Sequence, residues 1–272
     1  LEALLWVSGG VRSLEEKGGV LRDIFLIVIL FRHRKVRSRV SLTLTIPKTM
    51  ALRNLRQNLD FLSTLKGVVT LLRDPAQTES VYDVEDGLRH TKATELAVEF
   101  VKSKPEVAEL FQERYVAPSV NLDVLLKLPQ ESLGYAYATY IKESGFDPNF
   151  YRVVKVEDDV SYFLLRMRQT HDIWHIVAGF STDVFGELGL KAFELAQTHR
   201  TMSAVLIAGG LLSTLFKHPE QLDKLLEQIA IGYRLGVRAK PLFAKKWEEN
   251  WERPLLDLRQ ELGIEAIAKY AP

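Results

Sequence analysis

DDVSYFLLRMRQTHDIWHIVAG, residues 158–179, is the stretch on which the fold turns. Val160, Leu164, Met167, His171, His175 and Ala178 recur at steps of three and four, the spacing that lines up one face of an α-helix. Asp158 and Asp159 offer an N-cap and an acidic first turn, and Gly179 offers a stop. The opposite face holds Arg166, Gln169 and Ile173. Both histidines therefore occupy places in the series that points to the core.

Histidines four apart on a helix differ by about 40° in azimuth, so both rings can reach one ion. Glu187 can return to the same point after a turn at 179–183. Buried histidines also satisfy backbone carbonyls, and Glu187 lies four before Lys191, the order that forms a helical ion pair on a solvated surface. Against those readings, two inward rings need partners for both nitrogens, and a shared cation serves two at once. Asp172 is three before His175 and can be a ligand or the acceptor for an imidazole N–H. Glu194 is the reserve carboxylate and His199 a weaker reserve. The chain has no cysteine, so disulfides and thiolate chemistry are excluded and a metal must be held by nitrogen and oxygen. The donor set fits zinc with an open position and equally a two-histidine, one-carboxylate ferrous site. A zinc peptidase fits poorly, because the residue after the first histidine is the short Asp172.

Around this stretch the chain reads as helical. Of 272 residues, 47% are apolar, enough for a substantial core. Helical periodicity starts at 52–72, and Asp74-Pro75, Lys104-Pro105, Ala117-Pro118 and Leu128-Pro129 divide the chain beyond it. A helix is expected over 131–144 with Gly145 as its stop, and an extended connector over 146–155. The aromatic run at Tyr135 and Tyr137 reads as helix packing before it reads as a ligand wall. A second helix should begin near Val184 and bend within 198–203. The apolar stretch 204–216 falls short of the ~20 residues a bilayer requires and reads as a core helix or a tunnel wall. Helices at 222–236 and 255–262 complete an all-α, single multi-helix domain spanning 50–272.

Residues 1–49 differ in character. They combine an apolar run at 24–31 with the basic segment RHRKVRSR at 32–39, and are expected to form an upstream extension outside the functional domain. A membrane-surface anchor is the alternative. This segment carries nine Lys/Arg against four acids, leaving 27 basic and 31 acidic residues in the remainder. A mildly acidic body argues against a nucleic-acid partner.

The motif His171-Asp172-x-x-His175, eleven residues and Glu187, followed by GELGLK at 186–191, resembles the coenzyme Q biosynthesis family of Coq-four type. Further similarity lies in Leu128-Pro129, in LGYAY at 133–137, in VEDD at 156–159, and from Arg234 through Pro241 to Trp247 and Trp251. The resemblance covers roughly residues 60–264. It implies an all-helical fold and a divalent metal, usually zinc, with ferrous iron or magnesium as alternatives, at His171, Asp172, His175 and Glu187. It implies a role in ubiquinone synthesis as a metal-dependent lyase that removes the ring carboxylate of a polyprenylated hydroxybenzoate and leaves a hydroxyl. The alternative is a non-catalytic scaffold or prenyl-lipid binder. Implied partners are an isoprenoid precursor, other quinone-biosynthesis proteins, a membrane surface and a second copy. The implied location is peripheral, on the cytoplasmic side of a bacterial membrane or the matrix side of the mitochondrial inner membrane.

Overall fold

Prolines, glycines and capping side chains cut the residues described by this computed structural model, 84–145 and 154–265, into successive helices. All of them fall in one unit, Leu52–Pro272. After a helical turn at 84–88, Thr91 caps α1 (Lys92–Lys102) by accepting from the Thr94 N–H. Pro105 opens α2 (Pro105–Glu113), where its missing N–H costs nothing, and Asn121 caps the short α3 (Leu122–Leu125). Ser132 caps α4 (Leu133–Ser144), which ends at Gly145 in the left-handed region. Asp158 and Ser161 form a reciprocal capping box at the start of α5 (Asp159–Ala178), and Gly179, with φ 85°, ends it. Asp183 caps α6 (Val184–Thr198), α7 spans Thr201–Lys217, α8 spans Leu222–Arg238 and α9 spans Leu255–Leu262. Single 3₁₀ turns at Leu242–Ala244 and Trp247–Glu249 bring the chain back under α5. The fold is all-α: among the described residues there is no strand, only an isolated antiparallel bridge between Ser132 and Pro254.

The core is built on α5. Tyr162, Phe163, Met167 and Trp174 are fully buried, and α5 packs against α1, α4, α6, α9 and the 242–244 turn. Phe111 meets Tyr162 edge-on at 5.0 Å, Phe163 stacks with Phe243 at 5.5 Å, and Trp174 meets Phe193 edge-on at 5.7 Å, all within the favourable range for aromatic pairs. No residue of this helix is fully exposed, and beyond its first turn only Leu165, Gln169, His171 and Ile176 are half-buried. Arg166 and Ile173, on the face opposite the histidines, are as buried as the series that contains them. Arg166 is stabilised there by Glu248 at 3.2 Å, Gln169 at 3.0 Å and the Lys245 carbonyl at 3.2 Å.

The expectation for 204–216 needs correction. Only Met202, Ser203 and Thr214 of α7 are buried, while Leu212 and Leu215 are exposed and Phe216 is 81% exposed. α7 reaches α6 through Gly210 and Leu188, but the closest place on α6 goes to the more polar α8, and backbone shape is the reason. A Cβ at Gly232 would stand 1.9 Å from the Gly189 carbonyl oxygen, and one at Gly236 would stand 2.7 Å from that of Phe193. Glycine at both positions lets α8 lie directly on the α6 backbone. Among the described residues no helix is long and apolar enough to cross a membrane. The expected helix at 52–72, the segment 1–49 and most of the connector 146–155 lie outside the described residues.

Candidate metal centre

The turn between α5 and α6 decides the geometry of the site. Gly179 reverses the chain, Asp183 accepts from the N–H groups of Phe185 and Gly186, and α6 starts with Glu187 in its first turn. A Cβ at Gly186 would lie 2.2 Å from the Ser181 carbonyl oxygen, so this close return requires glycine. Glu187 is thereby carried back over the last turn of α5.

Three donors converge there. Ligand atoms of His171, His175 and Glu187 all lie within 4.8 Å of one another. His175 Nε2 is 3.0 Å from Glu187 Oε1, and His171 Nε2 is 3.8 Å from Glu187 Oε2. Ligands ~2.0–2.1 Å from a tetrahedral ion stand about 3.3 Å apart, close to these separations. The histidine rings are 4.9 Å apart and nearly perpendicular. His175 is buried, His171 is 18% exposed and the Glu187 side chain 37% exposed, so the group opens to solvent on its Glu187 side.

The outer nitrogens show what the inner ones carry. His175 Nδ1 is 3.2 Å from the Phe180 carbonyl oxygen, which can only accept, so Nδ1 holds hydrogen and Nε2 is the nitrogen turned to Glu187, donating to it when protonated and open to a metal when not. A lone pair and a carboxylate oxygen at 3.0 Å repel unless a proton or a metal ion lies between them. Glu187 responds to the same field: burial raises its pKa, but the hydrogen bond from His175 and the charges of His171, His175 and Lys191 outweigh that and hold it at about 2. The donors present, two imidazole nitrogens and one carboxylate, suit a divalent ion of the zinc type.

The other sequence candidates lie elsewhere. Asp172 is outside the three-donor group; it is buried, and its charge acts on Tyr137 and Tyr140 of α4, adding to the burial that raises both phenols. Tyr137 packs on Trp251 at 5.1 Å, whereas the Tyr140 ring lies 6.0 Å from His175 and borders the site. Glu194 is fully buried behind His171, with Oε1 3.0 Å from its Nδ1. Burial raises the Glu194 pKa, but Lys191, the His171 hydrogen bond and Arg200 hold it well below the usual carboxylate value. His199 ends α6 with φ 55° and stacks on Phe100 at 3.5 Å. Lys191 turns to Glu194 at 2.9 Å rather than forming an ion pair with Glu187. Glu85, Arg168, Arg200 and Ser203 join this buried group, and their separation in the chain leaves no local pattern to reveal them.

Comparison with known proteins identifies the family. Residues 49–268 match the family described as Coenzyme Q (ubiquinone) biosynthesis protein Coq4. A ubiquinone biosynthesis protein COQ4 homolog of Aedes aegypti, named mitochondrial, is 33% identical over 153 residues, 55% of this chain and 54% of its own. The mitochondrial ubiquinone biosynthesis protein COQ4 of Zygosaccharomyces rouxii is 34% identical over 157 residues, 57% of this chain and 46% of its own. The matched region thus spans about half the length of these relatives. A crystal structure of a candidate ubiquinone biosynthesis protein from Nostoc punctiforme covers 75% of this chain and 97% of its own, at 40% identity and a TM-score of 0.69. The chain therefore belongs to the coenzyme Q (ubiquinone) biosynthesis protein Coq4 family.

Proposed function

We propose that this chain acts on the head group of a polyprenylated hydroxybenzoate through a divalent metal held by His171, His175 and Glu187, within the unit 50–272. The observation that carries the reading is the pair of imidazole nitrogens turned on one carboxylate, with His175 anchored from behind by the Phe180 carbonyl. When bound, the metal supplies a Lewis acid that polarises the ring carboxylate or phenol oxygen. The chain's own residues hold that centre at the end of α5, leave it open beside Glu187 and border it with Tyr140. Replacing the ring carboxylate by a hydroxyl breaks the ring–carboxylate bond and forms a ring–oxygen bond with oxygen from water, releasing carbon dioxide, two protons and two electrons, which dioxygen as the oxidant takes up as hydrogen peroxide.

The apolar surface of α7 supports the prenyl part of the substrate. Gly210 packs on Leu188 of α6, the helix that carries Glu187, and beyond it Leu212, Leu215 and Phe216 are exposed on α7. That surface equally favours a scaffold or prenyl-lipid binder acting at a membrane surface. Glu187→Gln separates the two readings. It should keep its helical circular dichroism, bind zinc more weakly and lose turnover of a polyprenylated 4-hydroxybenzoate. Normal turnover by this variant would remove the catalytic reading, whereas prenyl lipid co-purifying with both forms would favour the scaffold.

A further inference from the structure

We infer that Glu194 is a positioning residue for the metal centre, fixing the ring of His171 through a closed chain of buried charges. The inference rests on the proposed metal centre and concerns the far side of that ring. His171 Nδ1 lies 3.0 Å from Glu194 Oε1, and Lys191 Nζ lies 2.9 Å from the same oxygen. An ionised carboxylate only accepts, so a hydrogen on Nδ1 makes this contact attractive and a lone pair there makes it repulsive. Lys191 Nζ also stands 3.3 Å from Nδ1 and favours the opposite tautomer, but that contact is the longer one and reaches a neutral nitrogen, whereas an Nδ1–H donates to the Glu194 carboxylate at 3.0 Å in a charge-assisted bond. The arrangement therefore puts hydrogen on Nδ1 and leaves Nε2, the nitrogen facing Glu187, free to ligate.

Glu194 can do this because it cannot turn. Its Oε2 takes the Ser203 hydroxyl at 2.8 Å and Arg200 Nη1 at 3.5 Å, so both oxygens are engaged twice. Arg200 is held in turn by Glu85 Oε1, and Glu85 Oε2 accepts from Arg168 Nε at 2.9 Å. Arg168 lies on α5 three residues before His171. The path thus leaves α5 at Arg168, crosses to Glu85, Arg200 and Glu194, and re-enters α5 at His171. Glu85, Arg200, Glu194 and Ser203 are all buried, where a displaced charge would have no water to replace its partner. His175 is anchored by a neutral carbonyl and His171 by a carboxylate, and the carboxylate makes its imidazole the more basic ligand.

The test is zinc affinity of the full chain, read by competition with a chromophoric chelator. Glu194→Gln keeps the shape and removes the charge; its zinc dissociation constant should rise roughly 10–100-fold. Leu125→Ala, a core truncation in α3, serves as the destabilised control and should leave that constant unchanged. An unaltered constant in folded Glu194→Gln overturns the inference alone, whereas failure of the unmutated chain to bind zinc overturns the centre and the inference with it. If Glu194→Gln does not fold, nitrogen-15 spectra of the zinc-loaded unmutated chain decide the matter. The His171 ring should carry hydrogen on Nδ1 and metal on Nε2, and metal on Nδ1 is the contrary result.

Discussion

At the scale of single residues, spacing along the helix exposed two ligand candidates and left the third and fourth undecided. Asp172 is adjacent to the first histidine in the chain, yet one residue is about 100° of helix rotation, and it stands outside the three-donor group with its charge acting on Tyr137 and Tyr140 of α4. Glu187 is far along the chain but is returned by the Gly179 reversal. Asp172→Asn should therefore keep stoichiometric zinc in elemental analysis, whereas Glu187→Gln should not; equal loss in both would make Asp172 a ligand. Glu194 shows the limit of spacing in the other direction. It shares a helix with Glu187 and was legible as a carboxylate in reserve, but its contact with Nδ1, on the outer side of His171, is a fact of packing.

At the scale of elements, caps and breakers were plain in the sequence and most helix ends agree with them. Asp158, Gly179, Val184 and Gly145 stand where local chemistry places them, because capping depends on neighbours within one turn. Burial is a different matter. The apolar content of α7 suggested a core helix, but content alone does not decide which helix fits closest. The contact of Gly232 with the Gly189 backbone decides it, and Gly232→Ala should overpack that crossing. A loss of about 1–3 kcal/mol in urea unfolding is expected, because the obstructing atoms are main chain and cannot rotate away. A neutral result would show that α6 and α8 can separate without cost.

For the whole molecule, the buried charges make stability depend on acid. Burial raises the Glu85 carboxyl, but Arg200 and Arg168 outweigh it and hold it below its usual 4.5, and Glu194 is held lower still by Lys191, His171 and Arg200. The folded chain therefore keeps both groups ionised where the unfolded chain takes up protons. Their stabilisation is complete above the unfolded value of 4.5 and is lost as pH falls through the lower folded values. Urea midpoints should change little between about pH 7 and pH 5 and drop below about pH 4.5, and Glu85→Gln should show the shallower decline. A midpoint that is flat down to about pH 3 in the unmutated chain would contradict that assignment.

The sequence by itself determined the all-helical class and most of the helix ends, and it put His171 and His175 on one helix face with Asp172 and Glu187 as further candidates. These come from interactions within a few residues and from periodicity, which a linear chain displays. Tertiary structure alone decided that α5 is buried on both the histidine face and the face opposite it, that the apolar α7 keeps an exposed face while α8 lies closest on α6, and that Glu85, Arg168 and Arg200 meet Glu194 behind His171. Those outcomes depend on backbone approach and on charges brought together from distant segments, and spacing along the chain carries no record of either.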